Sequence, residues 1–166
     1  MRRSRRHLVR NEHGVTLIEL IAVIIVLGIL AAIAVPRLGD LDVFKTRGFY
    51  DQVASALRYA QKAAVASGCD VQVSVSSGQL TLFQHHDNCT TGSFDKAVSI
   101  PGETNPPNAV SAPSGMVISA SPATFFYDSL GRAVGSPGAL PTGNVTVHVG
   151  TQSVTVVGDT GYVDAP

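Results

Sequence analysis

The segment Gly14-Val15-Thr16-Leu17-Ile18-Glu19 opens an apolar run that continues to Val35. Within that run the only charge is Glu19, and the only other polar side chain is Thr16. The twenty-one residues from Val15 to Val35, at about 1.5 Å each, make a helix roughly 30 Å long, which is the thickness of a bilayer core. A carboxylate carried into such a run costs about 2.5–3.5 kcal/mol near the membrane centre. A plain anchor has no use for that cost, so Glu19 is marked as a residue with a task.

The flanks set the orientation. Residues 1–14 hold Arg2, Arg3, Arg5, Arg6 and Arg10 against Glu12, a net of +4, while the remainder holds seven basic and eleven acidic side chains, a net of −4. A basic leader before an apolar helix places the leader in the cytoplasm and the C-terminal domain across the membrane. The mildly acidic remainder argues against a broad nucleic-acid-binding face.

Gly14, an apolar residue, then Thr16, Leu17, Ile18 and Glu19 at the head of an apolar helix resembles the class III signal of type IV pilins and type II secretion pseudopilins. The resemblance implies that prepilin peptidase cuts between Gly14 and Val15 and methylates the new amino terminus of Val15. Glu19 is then the fifth mature residue, the family's hallmark, and Pro36 the twenty-second, where pilins often carry a helix-kinking proline. Val15 departs from the Phe more common at that place. Two other readings compete. Ala32-Ile33-Ala34 has the form of a signal-peptidase site, which would make the run an ordinary secretory signal. That run is long for a signal and contains Glu19. The third reading is a permanent single-pass anchor with no assembly role.

The chain divides into a cleaved leader at 1–14, a transmembrane or filament-core helix at 15–36, an amphipathic continuation at 37–68, and a periplasmic β-sheet domain at 69–166 with a variable loop at 85–115. In the amphipathic part, Phe49, Val53, Ala56, Leu57, Ala60, Ala63 and Ala64 recur at helical spacing, with Arg58 and Lys62 off the stripe. The helix is expected to reach Ser67, with Gly68 as its stop. Gly48 and the Gly39-Asp40 step are expected weak points.

After Gly68 the period becomes two. Val71, Val73 and Val75 alternate with polar residues, and Ser76-Ser77-Gly78 turns into Gln79–Gln84, which predicts a hairpin. Pro106-Pro107 and Pro113 break regular structure in the loop, where one short strand is expected at Ala97–Ile100. Further strands are expected at Met116–Ala120, Thr124–Tyr127 and Arg132–Val134, and a last hairpin at Val145–Val149 and Val154–Val157. A long helix followed by an antiparallel sheet is an α+β layout in which the helix stripe covers one sheet face, and it is also the type IV pilin layout.

Phe49 to Lys62, with Ala66-Ser67-Gly68-Cys69, resembles the helix of GspH/FimT-type minor pilins, and Phe126-Tyr127-Asp128-Ser129-Leu130-Gly131-Arg132 is similar to an aromatic–turn–Gly-Arg segment of that group. Arg47–Tyr50 and Ala66–Val73 most resemble the minor pilins of mannose-sensitive haemagglutinin (MSHA) pili. The resemblance implies as partners other major and minor pilins, prepilin peptidase, and the pilus assembly platform in the inner membrane. It also implies that the free amine of Val15 on an adjacent subunit pairs with Glu19.

Cys69 and Cys89 are the only cysteines, and in an exported domain they are read as one disulfide. Closing that loop stabilises by about 3 kcal/mol on the chain-entropy model. His85 and His86 lie close by, but a metal site would need more ligands than these, so no metal or cofactor is expected. No G-x-S-x-G, H-E-x-x-H, phosphate loop or dinucleotide fingerprint occurs, and no enzyme is expected. His148 alternates outward from its strand. Among neighbouring functions, a GspH-like pseudopilin of type II secretion shares the same leader and helix. A FimT-like DNA-capturing pilin should show clustered cations on the distal domain, yet after Cys69 only Lys96 and Arg132 are basic.

Overall fold

The computed structural model describes residues 15–34, 41–76, 78–89 and 92–166. The leader with Gly14, Pro36 and the Gly39-Asp40 step lie outside the described residues. The chain forms two compact units, Met1–Leu41 and Asp42–Pro166.

In the first unit, α1 runs from Leu17 to Ala34. Every residue from Val15 to Ala32 is exposed. Nothing in the sequence favours one side, since the helix is apolar all round. Among the described residues no helix is long and apolar enough to cross a membrane. The 18 residues of α1 rise about 27 Å, short of the roughly 30 Å hydrocarbon core. The expected span at 15–36 ends on residues outside those described.

In the second unit, α2 (Leu41–Ser67) buries Phe49, Tyr50, Val53, Ala54, Ala56, Leu57, Ala60 and Ala64 and leaves Asp51, Gln52, Ser55, Arg58 and Lys62 on its outer side. The i, i+3/i+4 stripe read from the sequence is therefore the face that packs. Full burial of a side chain such as Leu57 or Phe49 is worth about 1.5–3 kcal/mol. Helix α2 stops at Ser67, and Gly68 takes φ 68°, a left-handed turn that a side chain would resist.

The strands are β1 (Val71–Ser76), β2 (Gln79–His85), β3 (Phe94–Ala97), β4 (Ala109–Ser111), β5 (Ile118–Ser121), β6 (Thr124–Tyr127), β7 (Ala133–Val134), β8 (Val145–Val149), β9 (Gln152–Val156) and β10 (Val163–Asp164). The antiparallel sheet expected beside the helix is present and is divided in two. The first is ordered β3-β2-β1-β6-β7 with β4 also on β2, and the second β10-β9-β8-β5. The division falls at Pro122-Ala123. There β5 leaves to pair with β8, while β6 pairs with β1, Val73 opposite Phe125. Inward residues of both sheets join the α2 stripe in one core that includes Val71, Val73, Leu80, Leu82, Phe125, Tyr127, Val147 and Val154.

The stretch at 85–115 also differs from expectation. Its strand lies at Phe94–Ala97 rather than Ala97–Ile100, and Ala109–Ser111 supplies another. Phe94 and Ala97 register with His85 and Phe83 at one end of β2, and Ser111 and Ala109 with Gln79 and Thr81 at the other. Two short strands thus cover the edge of β2, a usual way of protecting an edge from strangers. Val98, Ile100 and Val110 drop into the core. The prolines do not prevent this because they contribute carbonyls. Ile100 N–H donates to Pro107 O at 2.7 Å, and Ala109 N–H to Pro106 O at 3.3 Å.

Candidate functional site

At the start of α1, Thr16 acts as the helix cap. Its Oγ1 accepts a hydrogen bond from the Glu19 backbone N–H at 3.3 Å. Thr16 O accepts from Glu19 N–H and Leu20 N–H, both at 3.1 Å. Thr16 and Glu19 stand in the T-x-x-E spacing of a capping box, with the acid in the first turn. A negative charge there meets the positive end of the helix dipole. Weighed only as a cost within the span, Glu19 does not point to Thr16 as its orienting neighbour; the T-x-x-E spacing is the sequence signal that does. Val15, just before the cap, is exposed, and Gly14 and Pro36 lie outside the described residues.

At the far end of α2, Cys69 and Cys89 are joined by a disulfide with their Cα atoms 4.5 Å apart. The approach is prepared locally. Gly68 turns the chain, Ser67 Oγ accepts from Cys69 N–H at 3.3 Å, and Gln84 Nε2 donates to Ser67 Oγ at 2.8 Å, tying β2 to the helix end. Beyond it, His85 Nδ1 donates to Gly92 O at 3.0 Å, and His86 Nδ1 meets Asp95 Oδ1 at 3.0 Å. Among the described residues no group of three His, Cys, Asp or Glu is placed to hold a metal ion. His148 is exposed, facing outward from β8.

Beside the disulfide lies an open cleft of about 450 Å³ lined by Asp70, His85, Asp128, Leu130 and Arg132 among others. Asp128 organises it. Its Oδ1 accepts from Leu130 N–H at 3.0 Å and Arg132 N–H at 2.8 Å, while Oδ2 accepts from Arg132 Nε at 2.8 Å and Nη2 at 2.7 Å. This forked pair fixes the turn between β6 and β7. Burial, and then the neighbouring Asp128 carboxylate, raise the pKa of Asp70 above its usual value, while His85 and a Ser129 backbone hydrogen bond lower it. Gln61 on α2 reaches the same turn, donating from Nε2 to Gly131 O at 3.0 Å and Thr160 O at 2.8 Å. Sequence reasoning does not find Gln61, since an exposed-looking amide on a helix carries no signal of a distant partner. These contacts build a rigid surface and set up no nucleophile and base.

Residues 9–35 match the prokaryotic N-terminal methylation motif, and residues 50–161 match a family described as type II transport protein GspH. The type IV narrow pilus major component PilA5 of Thermus thermophilus is 41% identical over 86 residues, which covers 47% of this chain and 74% of that protein. Among solved structures, the type IV minor pilin FimU of Pseudomonas aeruginosa aligns with a TM-score of 0.54 at 10% identity, covering 75% of this chain and 90% of that one. The minor pseudopilin EpsH from the type II secretion system of Vibrio cholerae aligns with a TM-score of 0.54 at 14% identity, covering 73% and 94%. At those identities the structures speak to the fold, which is type IV pilin-like α+β.

Proposed function

Because this chain belongs to the type II transport protein GspH family and carries the N-terminal methylation motif, we propose that it is a minor type IV pilin, built into a pilus or priming its assembly. Proteins of this family are structural subunits, so the chain is not an enzyme. In this reading prepilin peptidase cuts between Gly14 and Val15 and methylates Val15. The subunit waits as a single-pass protein of the inner membrane, its N-terminus cytoplasmic and its C-terminal domain periplasmic, and then moves to the pilus at the cell surface. The likeness of Arg47–Tyr50 and Ala66–Val73 to MSHA minor pilins supports that pilus class.

One observation carries the reading. Helix α1 exposes apolar side chains on every side and carries a single carboxylate in its capped first turn. Such a helix is suited to lipid first and to neighbouring helices afterwards. In a dry filament core, Glu19 then requires a cation, and the amine of Val15 on an adjacent subunit supplies it and sets the axial register. Pro36 would let the helix bend where it leaves the core.

The test is mass spectrometry of sheared filaments. The chain should be present, starting at Val15 and bearing one added methyl. A chain that starts after Ala34 instead, or is absent from filaments and from assembly intermediates, contradicts the proposal.

The match to the GspH family favours a second reading, a minor pseudopilin of type II secretion. Deleting the gene separates the two. Loss of pili with intact protein secretion supports the pilin, and the reverse supports the pseudopilin.

A further inference from the structure

Strand β5 ends the second sheet, with β8 on one side of it. Ile118 stands opposite Val149, Ser119 opposite His148, and Ala120 opposite Val147. Gly150 N–H donates to Val117 O at 3.0 Å, so the backbone of Val117 points at β8. Backbone direction alternates along an antiparallel strand. Ser119 and Ser121 therefore bond to β8, while Ile118 and Ala120 turn their N–H and C=O groups away from it. Among the described residues, nothing donates to or accepts from those outward groups.

The other strand edges are closed or charged. On β7, Ala133 N–H donates to Gly158 O and Ala133 O accepts from Thr142 N–H, both at 2.9 Å. On β10, Val163 O accepts from Arg58 Nη2 at 3.4 Å. On β4, Ala109 N–H donates to Pro106 O. Strand β3 carries Asp95 and Lys96, charges of the kind that discourage pairing. Strand β5 reads Ile-Ser-Ala-Ser, and no Asp, Glu, Lys or Arg occurs from Thr104 to Tyr127. Ser119 and Ser121 are exposed on the outer face of the sheet, while Ile118 and Ala120 turn their side chains inward.

We propose that this edge pairs with the same edge of a second copy of the chain, antiparallel about a two-fold axis at Ser119. The edge is its own complement. With Ser119 opposite Ser119 of the second copy, Ile118 faces Ala120 of the second copy, and Ala120 faces Ile118. Each such pair exchanges two hydrogen bonds, so every outward group of both edges is satisfied at once. A shift by two residues either way leaves Ile118 or Ala120 with no opposite number inside β5. The two Ser119 hydroxyls meet on the solvent face, a favourable cross-strand pair, and no like charges oppose each other. The second sheets of the two copies become one continuous sheet. A contact of this isologous kind closes on itself, so it makes a dimer and stops there.

The test uses the full chain in detergent, with the Cys69–Cys89 disulfide intact. In the paired edge, Ser119 and its copy form a non-hydrogen-bonded pair with Cα atoms about 4.5 Å apart, within the span of a disulfide. Ser119→Cys should therefore crosslink between copies on mild oxidation, read as a dimer on a non-reducing gel. Ser121→Cys, also exposed on this edge, is the control. Ser121 and its copy would stand about 13 Å apart along the strands, beyond the reach of a disulfide. Ser121 would instead face Val117 of the second copy, so a mixture of Ser121→Cys and Val117→Cys chains should crosslink.

The dimer yield of Ser119→Cys should exceed that of Ser121→Cys alone at least about fivefold. Adding Ala120→Pro removes a donor that points away from β8, so the ladder within the chain is kept and the thermal midpoint should stay near wild type. The Ser119→Cys crosslink should then be lost. Equal yields from Ser119→Cys and Ser121→Cys overturn the proposal. A Ser119→Cys crosslink that survives Ala120→Pro overturns it as well. Absence of product from the mixed Ser121→Cys and Val117→Cys chains overturns the two-fold register.

Discussion

Gly161 lies against the carbonyl oxygen of Gly131, so closely that a Cβ at position 161 would overlap that oxygen. The same carbonyl accepts the Gln61 side-chain amide of α2. Helix, Asp128 turn and C-terminal segment therefore meet at one atom. Gly161 also takes φ 63°, where a side chain adds strain. Gly161→Ala should destabilise the domain by about 3 kcal/mol or more, read as a lower thermal midpoint in detergent. Gln61→Ala should cost about 1–2 kcal/mol by removing the donor from Gly131 O and Thr160 O. A variant at 161 that melts like wild type would show that the contact is easily relieved.

The disulfide gives the second prediction. Cys69→Ser should lower stability by about 3 kcal/mol, the loop-closure value for a crosslink of this span. Reducing agent should shift wild type by the same amount and leave the variant unmoved. Free thiols in periplasmic material would contradict the crosslink in the cell.

Asp70 gives a pH dependence with a definite sign. Its folded-state pKa is raised, first by burial and then by Asp128. The native state therefore holds the proton more tightly than the unfolded chain does. That contributes stability below the ordinary value of 3.8 and loses it as pH rises through the raised pKa. Asp70→Asn, which stays neutral, should therefore melt above wild type at pH 7. The two should converge near pH 3. A constant offset at both pH values would assign the effect to packing.

Much of this architecture is readable where local pattern and burial agree. The Phe49–Ala64 stripe, the stop at Gly68, the strand Thr124–Tyr127 and the hairpin starting at Val145 follow from periodicity and turn residues alone. The division into two sheets does not follow, because β5 and β6 are adjacent in sequence and nothing local says that Ile118 will register with Val149 while Phe125 registers with Val73. The 85–115 stretch resists reading for a related reason. Prolines and glycines announce turns, but they do not forbid short strands whose partners lie elsewhere in the chain. At the site, the cysteine pair is legible from counting. Thr16 requires attention to helix capping, and Gln61 requires the fold.

We propose that Glu19 serves assembly between subunits and is dispensable for membrane insertion. In Glu19→Ala the apolar run is uninterrupted, so the chain should still reach the membrane fraction at the wild-type level. A Val15 amine left unpaired in the filament core costs about 3–5 kcal/mol. Each 1.4 kcal/mol is about tenfold in an equilibrium. The most direct measurement is therefore the yield of this subunit in sheared filaments, divided by its level in the membrane fraction, for wild type beside Glu19→Ala. This ratio should fall at least about tenfold in Glu19→Ala. An unchanged ratio, with unchanged co-purification of other pilins, would contradict it.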